Sequence, residues 1–318
     1  MNRTPSAPSL AAGPGASAEV HRPGEAHRPV LSGLLLAAIG AIAFSGKAII
    51  VKLAYRHGVD AVTLIMYRMV FALPLFLLLS WWAGRGQRRL TRRDVAAVVG
   101  LGFSGYYLAS FLDFAGLQYI SASLERLILY LSPTLVVALR LFVFKGEVSR
   151  KQLISLAVSY AGVLVVFGHE ATLAGAHVAL GGLLVFGSAI SYATYLAYSG
   201  EEVKRLGAMR LTGLATSVAC LFCIGQFLAL RPLSAMAVAR QVVWLSVLNA
   251  TLCTFVPVLL VMMAIERVGA SVAAQTGMIG PVSTILMGVL ILGEPFTAWV
   301  AAGTALVLVG IWLLARER

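Results

Sequence analysis

FLDFAGLQYISASLERLILYLSPTLVVALRLFVFKGE, residues Phe111 to Glu147, is an apolar segment with charge at both ends, a proline at Pro133 and a Gly-Glu stop at Gly146–Glu147. The same plan returns near the C-terminus as AIERVGASVAAQTGMIGPVSTILMGVLILGE, Ala264 to Glu294. Ala122–Ser123 matches Ala270–Ser271 and Pro133 matches Pro281, both at an offset of 148, while Gly146–Glu147 matches Gly293–Glu294 at 147. The repeat extends outward from there. Gly33, Arg56, Gly58 and Thr63 recur as Gly182, Arg205, Gly207 and Thr212 at an offset of 149, and Gly162 recurs as Gly310 at 148. A chain that repeats at half its length is two copies of one unit.

Composition sets the class. Hydrophobic residues are 59% and charged residues 12% of the 318, with a mean hydropathy of +0.89, far from the balance of a water-soluble domain. Several apolar runs exceed the roughly 18–20 residues needed to cross a bilayer, whereas strands of a membrane barrel are about ten residues of alternating polarity. The sequence therefore predicts an all-α polytopic membrane protein, with spans near 31–54, 61–82, 95–118, 121–143, 150–168, 178–199, 209–230, 241–263, 270–292 and 296–315. Residues 1–29, rich in Pro, Ala, Gly and Ser, are expected to be a disordered cytoplasmic tail. The first repeat is then 30–168 and the second 178–315, five helices each. Five is odd, so the second copy enters the membrane inverted relative to the first, the construction of many secondary transporters.

The formal charge of +12 does not point to nucleic acid, because the basic residues sit in short loops between apolar runs. With a cytoplasmic N-terminus, seventeen of the 25 fall in inside segments and four (Lys52, Arg56, Arg231, Arg240) in outside ones. That asymmetry predicts both termini in the cytoplasm of a cell inner membrane. Cys220, Cys223 and Cys253 lie within apolar runs and are expected to pack rather than to bind metal or pair. His169, Glu170 and His177 complete no tetrahedral metal set and are expected to be solvated. Gly100, Gly102 and Gly105 match a bare dinucleotide fingerprint but lack the strand–turn–helix setting it requires. No metal and no cofactor is expected. The spans contain no histidine, which argues against a membrane-embedded enzyme.

Paired copies of a helix with a mid-span proline and a terminal Gly-Glu, led by Ala115–Gly116–Leu117–Gln118–Tyr119, resemble the EamA-domain branch of the drug/metabolite transporter superfamily. The resemblance covers residues 31–315, and Arg68 in the second helix suits it. It implies ten helices, a cavity between the repeats lined mainly by helices 1, 3, 4, 6, 8 and 9, and outward movement of small metabolites or drugs. The second copy departs from the phrase, with Ile265–Glu266–Arg267 where the first has Gly116–Leu117–Gln118.

Ionisable groups inside spans cost roughly 2.5–3.5 kcal/mol each, so each of the six here (Lys47, Arg68, Asp113, Glu125, Arg126 and Arg140) needs a reason. Arg140 lies near the inner end of its span and is expected to snorkel. The other five fall at one level in the outer third, and their repeat partners are Leu196, Ser217, Met262, Ala273 and Ala274, none of which ionises. Shared positions are scaffold; unshared charges are candidates for substrate binding or coupling. Two readings stay open: structural ion pairs that staple helices 1–4, or a cavity cluster that receives an anionic group and handles a proton. Tyr107, Tyr130 and Tyr192 are candidate aromatic walls, and Asn249 and Gln275 candidate polar contacts for a small-molecule substrate. Pro133 and Pro281 are candidate hinges, since each frees a carbonyl one turn earlier. Glu147 and Glu294 are expected to be interfacial charges.

Overall fold

A bilayer leaves no water to satisfy backbone polar groups, so apolar spans must bond internally. All ten do so as helices in the computed structural model, which describes residues 27–142, 149–174 and 176–315. They are α1 (His27–Tyr55), α2 (Ala61–Gly84), α3 (Arg92–Gly116), α4 (Ala122–Leu129, resuming at Ser132–Phe142), α5 (Arg150–Ala174), α6 (Ala176–Leu206), α7 (Ala208–Leu230), α8 (Arg240–Val268), α9 (Ala270–Thr276, resuming at Ile279–Leu292) and α10 (Ala298–Ala315). Eight are long and apolar enough to span by themselves; the second part of α9 and α10 are shorter. There is no strand among the described residues, so the protein is an all-α polytopic membrane protein. The Gly146–Glu147 stop and the side chain of Arg140 lie outside the described residues.

Packing repeats as the sequence does. Contacts of α1 with α8 and α9 are matched by contacts of α6 with α3 and α4, while α2–α7, α4–α9 and α5–α10 join equivalent helices directly. Equivalent helices run antiparallel. Along α2 and α7 the contacts are Asp60 with Arg231 (3.1 Å), the Met69 Sδ with the Cys220 Sγ (3.6 Å), and Ser80 against Gly213. Along α5 and α10, the Ser155 hydroxyl donates to the Gly310 carbonyl (2.5 Å), and a Cβ at Gly162 or Gly303 would come within 2.6 or 2.5 Å of the other's carbonyl oxygen. The only symmetry that exchanges antiparallel partners is a twofold perpendicular to the helices, which lies in the plane of the bilayer they cross.

The loops define two ends. At the Arg56 end are 56–60, 117–121, 231–239 and 293–297; at the Arg85 end are 85–91, 207 and 269. Two features of the helices themselves were absent from the sequence prediction. A π-helical stretch interrupts α3 at Gly102–Leu108 and α8 at Thr251–Phe255, beginning at the repeat offset of 149. A π turn adds a residue and re-aims every side chain after it.

The second feature concerns the candidate proline hinges. The helices break before the prolines, at Tyr130–Leu131 and Gly277–Met278, and Pro133 and Pro281 sit in the first turn of each resumed helix, where no amide is needed. The carbonyls left free one turn earlier are both taken. Leu129 O accepts from the Ser132 hydroxyl (2.6 Å), and Gly277 O accepts from the Tyr130 hydroxyl of the other repeat (2.7 Å).

Candidate functional site

Three helices of the first repeat bring the in-span charges together. α1 carries Lys47 about two turns, or ~12 Å, before its end at Tyr55. α3 carries Asp113 just past the π stretch, and the short first part of α4 carries Glu125 and Arg126. The Lys47 ammonium donates to Asp113 Oδ2 at 2.5 Å and stands 3.4 Å from Glu125 Oε1. Exposure is 6% for Lys47, 2% for Asp113 and 0% for Glu125. One cation between two carboxylates, out of water, is a high-stakes arrangement: desolvation costs several kcal/mol per ion, and losing one partner leaves a charge uncompensated.

Arg126 completes the balance. Its Nε donates to the Thr284 hydroxyl on α9 (2.7 Å), and its guanidinium lies 5.5 Å from the Phe44 ring centre. Lys47 lies 5.6 Å from the same ring, so Phe44 has two cations near its π system, a contact that gains strength out of water. Arg68 is different. Its Nε donates to Thr254 on α8 (3.1 Å) and its guanidinium covers Phe114 at 5.1 Å; both partners are neutral. Counting ionised forms, three buried cations face two buried carboxylates.

Spare bonding capacity is concentrated here. Arg68 Nη1, Asp113 Oδ1, Glu125 Oε2, Arg126 Nη2 and Asn249 Oδ1 are buried atoms with no hydrogen-bond partner in the protein. Native proteins pair nearly all such atoms, and these five lie on the neighbouring helices α2, α3, α4 and α8. Asn249 stands beside the cluster, its Nδ2 3.5 Å from Lys47 O. Tyr130, at the end of the same half-helix as Arg126, donates its hydroxyl to Gly277 O on α9.

The remaining candidates have contacts of their own. Tyr107 packs on Phe103 (5.3 Å) and Phe222 (5.5 Å), and Tyr192 stacks on Tyr195 at 5.7 Å. Gln275 is exposed on α9. At the partners of the charged positions, Ser217 bonds within its own helix to Gly213 O (2.7 Å) and Ala273 is simply buried. The three cysteines are free and buried, and no cluster of three metal-ligating side chains occurs among the described residues. Gly102 packs on the Ala215 carbonyl and Gly105 on the Tyr195 ring, which is helix packing and not a nucleotide loop.

Above the cluster, toward the Arg56 end, is a vestibule of about 670 Å³ whose lining includes Lys52, Arg56, Ser121, Glu170 and Glu294 but not Lys47, Asp113 or Glu125. Helix ends are tied together around it, twice within the first repeat and once across the repeats. The Lys52 ammonium donates to Ile120 O (2.7 Å), Arg56 Nη2 to Leu292 O (2.7 Å), and the Tyr55 hydroxyl to Phe114 O (2.6 Å). Glu170, expected to be solvated, instead accepts from the Ser121 hydroxyl and amide, while His169 stacks on Trp299 and His177 on Tyr119. Glu294 is likewise no free interfacial charge: it accepts from Ala122 N (2.7 Å), Ser123 N (3.3 Å) and the Ser123 hydroxyl (3.0 Å).

At the Arg85 end, Asp94 was not singled out from the sequence. It is buried, closes a capping box with Thr91, and takes Arg88 (3.1 Å) and Arg205 (2.8 Å). Its position just after a run of arginines, in a Thr-x-x-Asp phrase, was the available signal.

Known proteins share this plan. The model of the EamA-like transporter family matches residues 31–168 and again 179–316. An uncharacterized transporter of Bacillus subtilis, YcbK, is 30% identical over 279 residues, which is 84% of this chain and 87% of the relative. An uncharacterized transporter of Archaeoglobus fulgidus is 25% identical over 73% of this chain and 81% of its own length. A solved crystal structure shares the fold at a TM-score of 0.59 and 18% identity, over 91% of this chain and 100% of that one.

Proposed function

Because the chain belongs to the EamA-like transporter family, we propose that it exports a small organic solute across the cell inner membrane by alternating access. Lys47, Asp113, Glu125 and Arg126 form the site for substrate and coupling. The observation that carries this reading is a buried ammonium shared by two carboxylates in one repeat of a scaffold whose other repeat has no charge at those positions. A scaffold alone needs neither.

The chemistry follows from charge balance. A deprotonated carboxylate holds a cationic or hydrogen-bond-donating group of the solute, while the surplus cation receives its anionic group. A carboxylate that takes up a proton lets the solute go, so proton and solute exchange and an inward proton gradient drives the solute out. Asn249 Oδ1 supplies a neutral acceptor beside them, and Phe44 supplies an apolar wall. Basic residues are concentrated at the Arg85 end and at the termini, which supports placing that end in the cytoplasm. The sealed end under the vestibule is then extracytoplasmic.

The test is uptake and efflux in reconstituted vesicles with and without a pH gradient, across amino acids, nucleobases and cationic drugs. Asp113→Asn and Glu125→Gln are expected to abolish gradient-driven accumulation while inserting normally. The direct Lys47–Asp113 contact favours a second reading, in which the pair is a staple and transport is facilitated diffusion. In that case the wild type equilibrates a solute without responding to the gradient.

A further inference from the structure

The first part of α4, Ala122–Leu129, is a short helix that carries Glu125 and Arg126. A helix start leaves its first amides without internal partners, and each of these is accounted for. Leu124 N donates to the Ser121 hydroxyl (3.0 Å), and Ser121 N to Glu170 (3.3 Å). Ala122 N and Ser123 N donate to Glu294, which reaches across from the end of α9 in the other repeat. A carboxylate is the right group there, because the bonds are charge-assisted and the positive end of the helix favours an anion.

The same half-helix is tied to α9 at two further levels, by Arg126 Nε to Thr284 and by the Tyr130 hydroxyl to Gly277 O. Its far boundary is the break at Tyr130–Leu131. It is therefore a separate rigid piece, bounded by a break and bearing the site charges, whose end at the vestibule is fastened mainly by one side chain from the opposite repeat. The space Glu294 occupies is also prepared. Its carboxylate folds back over Gly288, where a Cβ would come within 2.9 Å of Oε2, and its amide donates to Gly288 O at 3.0 Å.

We propose that Glu294 is a positioning residue for transport: its carboxylate latches the first half of α4 to α9, holds Glu125 and Arg126 in the sealed arrangement, and must leave the Ala122 and Ser123 amides before the Arg56 end opens. The consequence for transport rests on the proposed function, but the latch can be tested with no substrate present. Two variants strike it from opposite sides. Glu294→Gln removes the charge, and Gly288→Ala adds a methyl group against the carboxylate.

The measurement is amide hydrogen exchange of the protein in lipid nanodiscs, paired with labelling of Ile120→Cys by a membrane-impermeant maleimide in vesicles. Ile120 lines the vestibule and is buried. Both variants are expected to speed exchange of residues 120–125 by roughly tenfold or more, as loss of a charge-assisted bond to a locally opening segment requires. Exchange in α10 should be unchanged, and Ile120→Cys should label faster from the Arg56 side in both backgrounds. Unchanged exchange at 120–125 in both variants overturns the latch. So does an increase spread equally over α10, which would make Glu294 a global stabiliser, or faster exchange with no change in labelling.

Discussion

The two repeats share a backbone plan and differ in what they bury. Ala122–Leu129 carries Glu125 and Arg126, is capped from outside by Glu170 and Glu294, and touches Lys47. Ala270–Thr276 begins at the same repeat offset, breaks at the equivalent place, and has Ala273 and Ala274 instead. Glycine contacts, helix breaks and π stretches recur in both halves because geometry demands them. Charges occur in one half because geometry does not. Duplication thus separates scaffold from chemistry without any appeal to other sequences.

The largest effect should come from unbalancing the charged half. Lys47→Ala leaves two carboxylates together in the interior, at a cost of about 3–5 kcal/mol, whereas Leu196→Ala at the equivalent, exposed position should cost under ~1 kcal/mol. Thermal unfolding in detergent checks both, and equal losses would break the comparison. Next in size are shared positions, which should behave alike. Gly162→Val and its repeat partner Gly310→Val each press a side chain onto a carbonyl of the facing helix, that of Gly303 and that of Ser155, and each should cost about 1–3 kcal/mol. A twofold-related pair with clearly unequal losses would argue against the dyad.

The smallest effect concerns helix starts. Asp60 caps α2 through Val62 N (3.0 Å) and Thr63 N (3.3 Å) and meets Arg231, while α7 starts from Gly207 with no side-chain cap. Partial burial pushes the Asp60 carboxyl up, but bonds from Thr63 and the charge of Arg231 more than offset this and hold it below its usual range. A carboxyl depressed in the folded state stabilises above its unfolded pKa near 4 and loses that contribution as pH falls through the lower, folded value. Asp60→Ala should therefore cost about 1 kcal/mol at neutral pH, and the gap from wild type should shrink on acidification. A gap that stays constant between pH 7 and pH 3 would contradict this.

Much of the fold was legible because a bilayer imposes simple rules. Apolar run length, the Pro133/Pro281 register and the odd number of helices per copy led to ten spans and an inverted repeat. Five of the six in-span charges could be placed at one level by counting residues from span ends. Contacts across helices were not legible, because they depend on rotation. The π stretch at Gly102–Leu108 re-aims Asp113 in a way that 3.6-residue periodicity does not anticipate. Glu294 looked like a headgroup-level charge, yet its partners, Ala122 and Ser123, are distant in sequence and on the other repeat. Pro133 and Pro281 were candidate hinges from the sequence; the helix break lies just before each, since the first turn of a helix is where proline fits without loss.

The central claim is that the charged half of the duplicated scaffold performs the transport. Its most direct test compares Glu125→Gln with Ala273→Gln, its partner position in the other repeat, for a solute the wild type accumulates in vesicles under a pH gradient. Accumulation lost in the first and largely retained in the second is the predicted result. Wild-type accumulation in Glu125→Gln, or equal loss in both, would contradict it.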